Sequence, residues 1–446
     1  MSALKDLPKI DKVALHPLFQ GCNASLIMKI ARKQIDTLRH ALLSKKIESF
    51  DEAVLFEAIK AEYDALFEPS LKPLINATGV ILHTNMGRSV ISKTLLENAS
   101  HVICNYSNLE YNLKEGCRGE RYEHVSHHLK ALLNVEDVLV VNNNASAVFL
   151  VLNTFAKEKE VVVSRGELVE IGGSFRIPEV MKQSGALLCE VGATNKTKRS
   201  DYHNAINDKT VMLMKVHQSN FSIEGFSESV PYEEIKALAE EKNLLDYYDL
   251  GSGYVPSLPY NLGNREHSLE EILACSPSLI SFSGDKLFGS VQAGIIAGKK
   301  ELIAQLKKNQ LLRMLRVDKI TLSLLEESIK AYLKEEYENL PTLWLLFRSV
   351  ASLEERAQHF KEHLGEAICD VVHTQTYMGG GTLPNRHFPS VALHIKGKAT
   401  QLEKRFRERH VIGRIENDMF LLDFRSILPH NEETLLTLIE SITGNA

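Results

Sequence analysis

Residues 278–298 read SLISFSGDKLFGSVQAGIIAG. The apolar run from Leu279 to Phe282 predicts a strand that carries Ser281 and Ser283 to its carboxyl end, and Lys286 follows among the small residues Gly284, Gly289 and Ser290. Five more short apolar segments lie upstream, at Val138 to Val141, Val161 to Val163, Leu187 to Val191, Val211 to Val216 and Leu244 to Leu250, mostly separated by helical stretches. This alternation predicts βαβ units and a largely parallel sheet covered on both faces, an α/β fold. Ligands of such open sheets collect at the carboxyl ends of the strands, so the residues just past each segment are the candidate site.

Three of those strand ends carry suggestive groups. A neutral, buried Lys286 is nucleophilic enough to form a Schiff base, although a lysine in a turn is more often a surface residue. Asp249 ends LLDYYDL and is followed by GSG, 37 residues before Lys286. In pyridoxal phosphate enzymes of the aminotransferase type, an Asp at such a strand end keeps the pyridine nitrogen protonated; the alternative is a turn cap ahead of Gly251. After Val141 comes NNNASA and a helix expected near Val148, so Asn144, Ala145 and Ser146 can present amides to a phosphate, or simply cap the helix. Ser283 offers a further hydroxyl to the same anion.

At 446 residues, the chain is long enough for two or three domains. Its 44% hydrophobic and 24% charged residues exclude a disordered or fibrous chain. With 52 Lys+Arg against 57 Asp+Glu, the net charge is −5, so a nucleic-acid partner needs a local basic patch. No apolar run approaches the roughly 18 to 20 residues of a membrane span. The start, MSALKDLPKIDK, lacks the apolar stretch of a secretory signal, and the expected location is the cytoplasm. Six scattered cysteines without CxxC pairs read as reduced thiols, with no metal site.

Three regions follow: a helical domain over residues 1–67, a catalytic domain over 68–330 and a small α+β domain over 331–446. In the first, Ile27, Ile30, Ala31, Ile35, Leu38 and Leu42 recur at helical spacing behind Asn23 as cap, and a second helix covers Asp51 to Leu66. Lys29, Arg32, Lys33 and His40 share a face of the first helix, which suits either phosphates or plain solvent. In the last region, helices near Ser349 to Leu364 and Thr400 to Arg409 alternate with strands at Asp370 to Gln375 and Ser390 to Ile395. VIGRIENDMFLLDF there predicts a hairpin turning at Asn417 and Asp418, before a closing helix.

The segments LINATGVILHTNMGRS, NLEYNLKEGCRGERYEHV, VNNNASAV, SRGELVEIGGSFRIPEVM, MKVHQSNFSIEGF, DLGSG, SFSGDKLFG and GRIENDMFLLDFR together resemble bacterial selenocysteine synthases, the L-seryl-tRNA(Sec) selenium transferases. The family pattern reads Gly-Pro where this chain has Ser290 and Val291. The resemblance implies a fold-type I pyridoxal 5'-phosphate enzyme with Lys286 carrying the cofactor and Asp249 facing its ring nitrogen. It also implies seryl-tRNA(Sec) and selenophosphate as substrates, and a homo-oligomeric ring of dimers, a decamer in the family. By the same resemblance Arg88, Arg313 and Arg316 bind selenophosphate; Arg313 and Arg316 are three apart, one face of an expected helix, and surface or subunit-contact roles are the alternatives. The amino-terminal helices become a tRNA-contacting domain, with Lys29, Arg32 and Lys33 as contacts. Two rivals are a pyridoxal phosphate lyase or ammonia-lyase acting on a small amino acid, and a tRNA-binding homologue without catalysis. The helical appendage argues against the first, and intact Lys286, Asp249 and the arginines Arg88, Arg313 and Arg316 against the second.

Overall fold

A small helical unit, Met1–Pro73, and a large α/β unit, Leu74–Ala446, make up the chain. The computed structural model describes residues 4–171, 175–218, 221, 223, 225–265 and 267–444. Residues 172–174, 219, 220, 222 and 224, in two of the quoted motifs, lie outside the described residues.

The small unit is built on α1 (Ala24–Leu43) and α2 (Glu52–Ala65). The Asn23 side chain accepts the N–H groups of Ser25 and Leu26, and Asp51 caps α2 in the same way through Ala53. Ile27, Ile30, Ala31 and Ile35 form one stripe, buried with Leu55, Phe56 and Ile59 of α2.

The large unit is organised by seven strands: β1 (Asp137–Val141), β2 (Glu160–Ser164), β3 (Leu187–Val191), β4 (Thr210–Val216), β5 (Leu245–Ser252), β6 (Leu279–Ser283) and β7 (Gly294–Gly298). They lie in the order 1-7-6-5-4-2-3. Every neighbour pairing is parallel except those of β7, which runs antiparallel between β1 and β6. The sheet is apolar on both faces, as its unbroken Val, Ile and Leu runs require. Val138, Val140, Tyr248, Leu250, Ile280 and Phe282 belong to the core on one face. Leu139, Val141, Val161, Met214, Tyr247 and Leu279 belong to the other, together with Val148 and Val151 of α3 (Asn144–Phe155).

The expected strands are all present; β7 is an addition to them. The chain between Ser283 and Gly294 is too short for a parallel crossover, so GIIAG can join the sheet only by reversing direction. A second addition is at the entrance to this unit. Ile75–Asn76 pairs in parallel with Val411–Ile412, and Thr78 bridges Asp423, so the chain begins the large unit alongside its carboxyl-terminal sheet. That sheet is formed by β8 (Cys369–Gly379), β9 (Thr382–Ile395), β10 (Arg414–Glu416) and β11 (Met419–Asp423), in the order 8-9-11-10. Asn417 and Asp418, both at positive φ, make the expected turn between β10 and β11.

Candidate active site

Alternation along the strands collects the polar groups on one face. Tyr247 and Leu279 pack into the core beneath α3, so Asp249, Ser281 and Ser283, at even spacing from them, point to the same side. The Tyr247 hydroxyl and Ser281 Oγ are 2.6 Å apart there. Immediately after Asp249 the pairing of β5 with β6 slips, Asp249 facing Ser281 and Gly251 facing Phe282. Gly251 absorbs this bulge at φ 66°, a conformation costly for a side-chain-bearing residue. A bulge at that point re-aims the strand end where Asp249 sits.

Asp249 is 4% exposed and Lys286 6%. Burial pushes the Asp249 carboxyl above its ordinary range, opposed by the Asn144 hydrogen bond, the Lys286 charge, the Gly251 N–H and His217. The structure therefore brings together the two residues expected to do chemistry. Asn144 Nδ2 donates to Asp249 Oδ1 at 2.7 Å, and Asn144 Oδ1 is buried without a partner.

The cradle differs from expectation in its details. Helix α3 begins at Asn144, not near Val148, because Asn143 is its cap and accepts the Ser146 N–H at 2.8 Å. The backbone amide of Ser146 is thus committed, and the amides at the open end of the helix are those of Asn144 and Ala145. Gly294 of β7 permits this arrangement, since a Cβ there would collide with the carbonyl oxygen of Asn143. Ser283 ends β6 on the same side, 6% exposed.

The lysine loop is anchored at several points. Gly284 N–H donates to Ala293 O, Ser290 N–H to Gly284 O and Gly289 N–H to Lys286 O, each at 2.8 Å. Ser290 donates its hydroxyl to Ser328 at 2.7 Å. The Tyr332 hydroxyl donates to Phe288 O at 2.7 Å. The neighbour of Lys286, Asp285, receives Arg88 Nη1 at 2.8 Å. Arg88 holds φ 62° and its N–H donates to His83 O, so the HTNMGR turn sets its direction. His83 Nδ1 is itself buried without a partner, and burial lowers the imidazole pKa.

The other two expected arginines are placed differently. The helix that carries Arg313 spans only Leu312–Leu315, and Arg316 is its extended C-cap, so no helical face unites them. Asp318 ends any continuation by capping the next helix, Lys319–Leu333. Arg316 bridges Val141 through its backbone, at the end of β1 where the cradle starts, and its Nη1 lies 3.4 Å from Glu110 Oε1. Glu110 also receives Arg121 at 2.9 Å and Arg118 at 3.3 Å, and the Arg121 bond is the main cause of its lowered pKa. Arg313 is exposed.

On the helical unit, Lys29 and Arg32 are exposed, whereas Lys33 reaches Glu62 of α2 at 2.6 Å. Sequence reasoning missed Asp285, His83 and His217. All three stand inside quoted motifs, but their contacts are made only in the fold.

The sequence pattern of the L-seryl-tRNA selenium transferase family matches residues 74–428. A protein named L-seryl-tRNA(Sec) selenium transferase from Aliarcobacter butzleri (strain RM4018) is 56% identical, over 99% of this chain and 100% of its own. The chain belongs to the L-seryl-tRNA(Sec) selenium transferase family. The relative of the same name from Sulfurimonas denitrificans (strain ATCC 33889 / DSM 1251) is 54% identical over 100% of both chains. Among solved structures, D-glucosaminate-6-phosphate ammonia-lyase covers 86% of this chain, and this chain covers 98% of it, at a TM-score of 0.62 and 17% identity. That likeness is one of fold, and this member of the selenium transferase family has the fold-type I architecture. Among the described residues no helix is long and apolar enough to cross a membrane.

Proposed function

We infer that this chain converts L-seryl-tRNA(Sec) to L-selenocysteinyl-tRNA(Sec), eliminating the serine hydroxyl and adding selenium from selenophosphate. The observation that carries this reading is full-length kinship with the selenium transferases, joined to a buried Lys286 and Asp249 at adjacent strand ends.

Pyridoxal 5'-phosphate is the cofactor that these residues fit. A carboxylate whose charged form is penalised by burial gains the positive partner it lacks in a ring N–H, Lys286 suits a carbonyl, and the open amides of Asn144 and Ala145 with Ser146 and Ser283 suit a phosphate. When bound, the cofactor supplies an electron sink for the substrate's α-carbon. Asp249 holds the proton at the ring nitrogen, and Asn144 Nδ2 fixes that carboxylate in orientation. With the cofactor held there, Lys286 Nζ would be the base placed to take the α-proton of the seryl group.

The selenophosphate role of Arg88, Arg313 and Arg316 belongs to this proposal. Its support is the Arg88–Asp285 pair next to Lys286 and the position of Arg316 beside the cradle. We assign tRNA contact to residues 1–67 and to exposed Lys29 and Arg32, with Lys33 bracing α1 against α2 and contributing charge. Residues 68–330 and 331–446 are the proposed catalytic and small domains. A homo-oligomer, in the family a ring of dimers, belongs to the same reading through the kinship with the selenium transferases.

The test is selenium incorporation into purified seryl-tRNA(Sec) supplied with selenophosphate. Transfer by the wild-type protein and its loss in Lys286→Ala is the expected result. Failure of the wild-type, cofactor-loaded protein to transfer selenium overturns the reading.

A further inference from the structure

A cavity of about 470 Å³ opens beside the catalytic strand ends and shares only His217 with the site described above. It begins at His217, just past β4, whose backbone N–H donates to the Asp249 carbonyl at 2.9 Å. Its size falls within the roughly 300–1,000 Å³ of small-molecule sites. Buried Leu262 and Leu383 form apolar wall, and His217, His267 and Arg386 supply planar groups.

The charges in this wall largely cancel. Glu167 and Lys215 pair at 2.9 Å, and Lys215 Nζ also donates to Val230 O at 2.8 Å. Among the described lining residues this leaves Arg386 as the one uncompensated formal charge. The amino end of Tyr232–Glu241, a helix without a side-chain cap, opens on the same space; its first turn carries Glu233 and Glu234, neither of which lines the cavity, so the helix end adds only a weak preference for an anion to that of Arg386. One cation, one helix end and several flat groups on an apolar wall suit a nucleotide with a single phosphodiester. They suit a multiply charged selenium donor poorly.

We propose that this cavity receives the 3'-terminal adenosine of the charged tRNA, with Arg386 on its phosphate and the base stacked on His217, His267 or the guanidinium plane. Unpaired bases are held in this way, by stacking on His and Arg side chains. The proposal rests on the seryl-tRNA reading above. It follows from connectivity: the seryl ester joins the reacting carbon to the terminal ribose, so the adenosine must lodge within one nucleoside of Lys286. A cavity that starts one strand away from Asp249 meets that condition.

The experiment measures binding of the cofactor-loaded protein to tRNA(Sec) ending in CCA and to the same tRNA trimmed to CC. Wild type should prefer the full end by about tenfold or more, the worth of a charge-assisted hydrogen bond together with stacking. Arg386→Ala and His267→Ala should each reduce that ratio, with the affinity for trimmed tRNA and the cofactor absorbance unchanged. The second variant covers the case in which the first fails to fold. A wild-type ratio of one, or a ratio unaltered in a folded variant, overturns the cavity assignment. Absence of selenium transfer by wild type overturns the underlying reading instead, so the two failures are told apart.

Discussion

Arg88 Nη1 stands 2.8 Å from Asp285 Oδ2, which ties the HTNMGR turn to the residue immediately before Lys286. The guanidinium is about one-third exposed and the carboxylate one-tenth, so the pair lies at the edge of the site, where an incoming anion can share the cation.

The donor half of the reaction should therefore respond to Arg88, and to Arg313 as the other arginine assigned to the donor. Arg88→Ala or Arg313→Ala should slow selenium uptake more than formation of aminoacrylyl-tRNA, by about 10- to 150-fold, the worth of a charged hydrogen bond. Single-turnover dehydration without donor, followed by selenium uptake, separates the two. Equal losses in a folded, cofactor-loaded variant would remove these arginines from the donor site.

Borohydride reduction of the loaded protein should leave a pyridoxyl group on the peptide that contains Lys286. Mapping to a different lysine would refute the assignment. Lys286→Ala should lose α-proton exchange by about 10²- to 10⁴-fold, the usual contribution of a positioned base.

Asp249 has a raised pKa in the fold, so its charged form opposes folding of the apoprotein. For a raised acid the folded state binds the proton more tightly, and stability falls as pH climbs from the ordinary carboxylate pKa through the raised one. Asp249→Asn removes this loss. The difference in apoprotein Tm between Asp249→Asn and wild type should widen in favour of the variant between that range and neutrality. A constant difference would show that the carboxylate is not penalised. The same variant should keep its cofactor and lose α-proton exchange.

Deleting residues 1–67 should abolish tRNA affinity and spare the cofactor absorbance. Lys29→Ala and Arg32→Ala should each flatten the salt dependence of tRNA binding by about one unit of slope. Lys33→Ala should in addition lower the thermal stability of the helical unit, since it breaks the bridge to Glu62. Unaltered slopes in the first two variants would place tRNA contact elsewhere.

The parallel strands were legible because buried strands are written as continuous apolar runs, and the strand-end rule led directly to Asp249 and Lys286. Strand β7 escaped because GIIAG is short and bounded by glycines, and its direction depends on the loop before it. Helical spacing suggested that Arg313 and Arg316 share a face; the Asp318 cap, two residues after Arg316, starts a new helix and breaks the old one. The backbone amide of Asn144 was legible as part of a candidate cradle, but the bond of its side chain to a carboxylate 105 residues away was not. Local pattern carries element type well, but partners distant in the chain leave no trace in one sequence.

The pairing of Ile75–Asn76 with Val411–Ile412 has a consequence for synthesis on the ribosome. The turn that aims Arg88 follows a segment whose β-partner is translated near the end of the chain. While residues 77–410 are being made, that segment has no native strand to join, and the Arg88 turn lacks this anchor. A nascent chain stalled before Val411 should hold the central strands without this docking, leaving its entry segment open to proteases or chaperones. Long-range closure of this kind is entropically slow, so assembly of the site is expected to be largely post-translational.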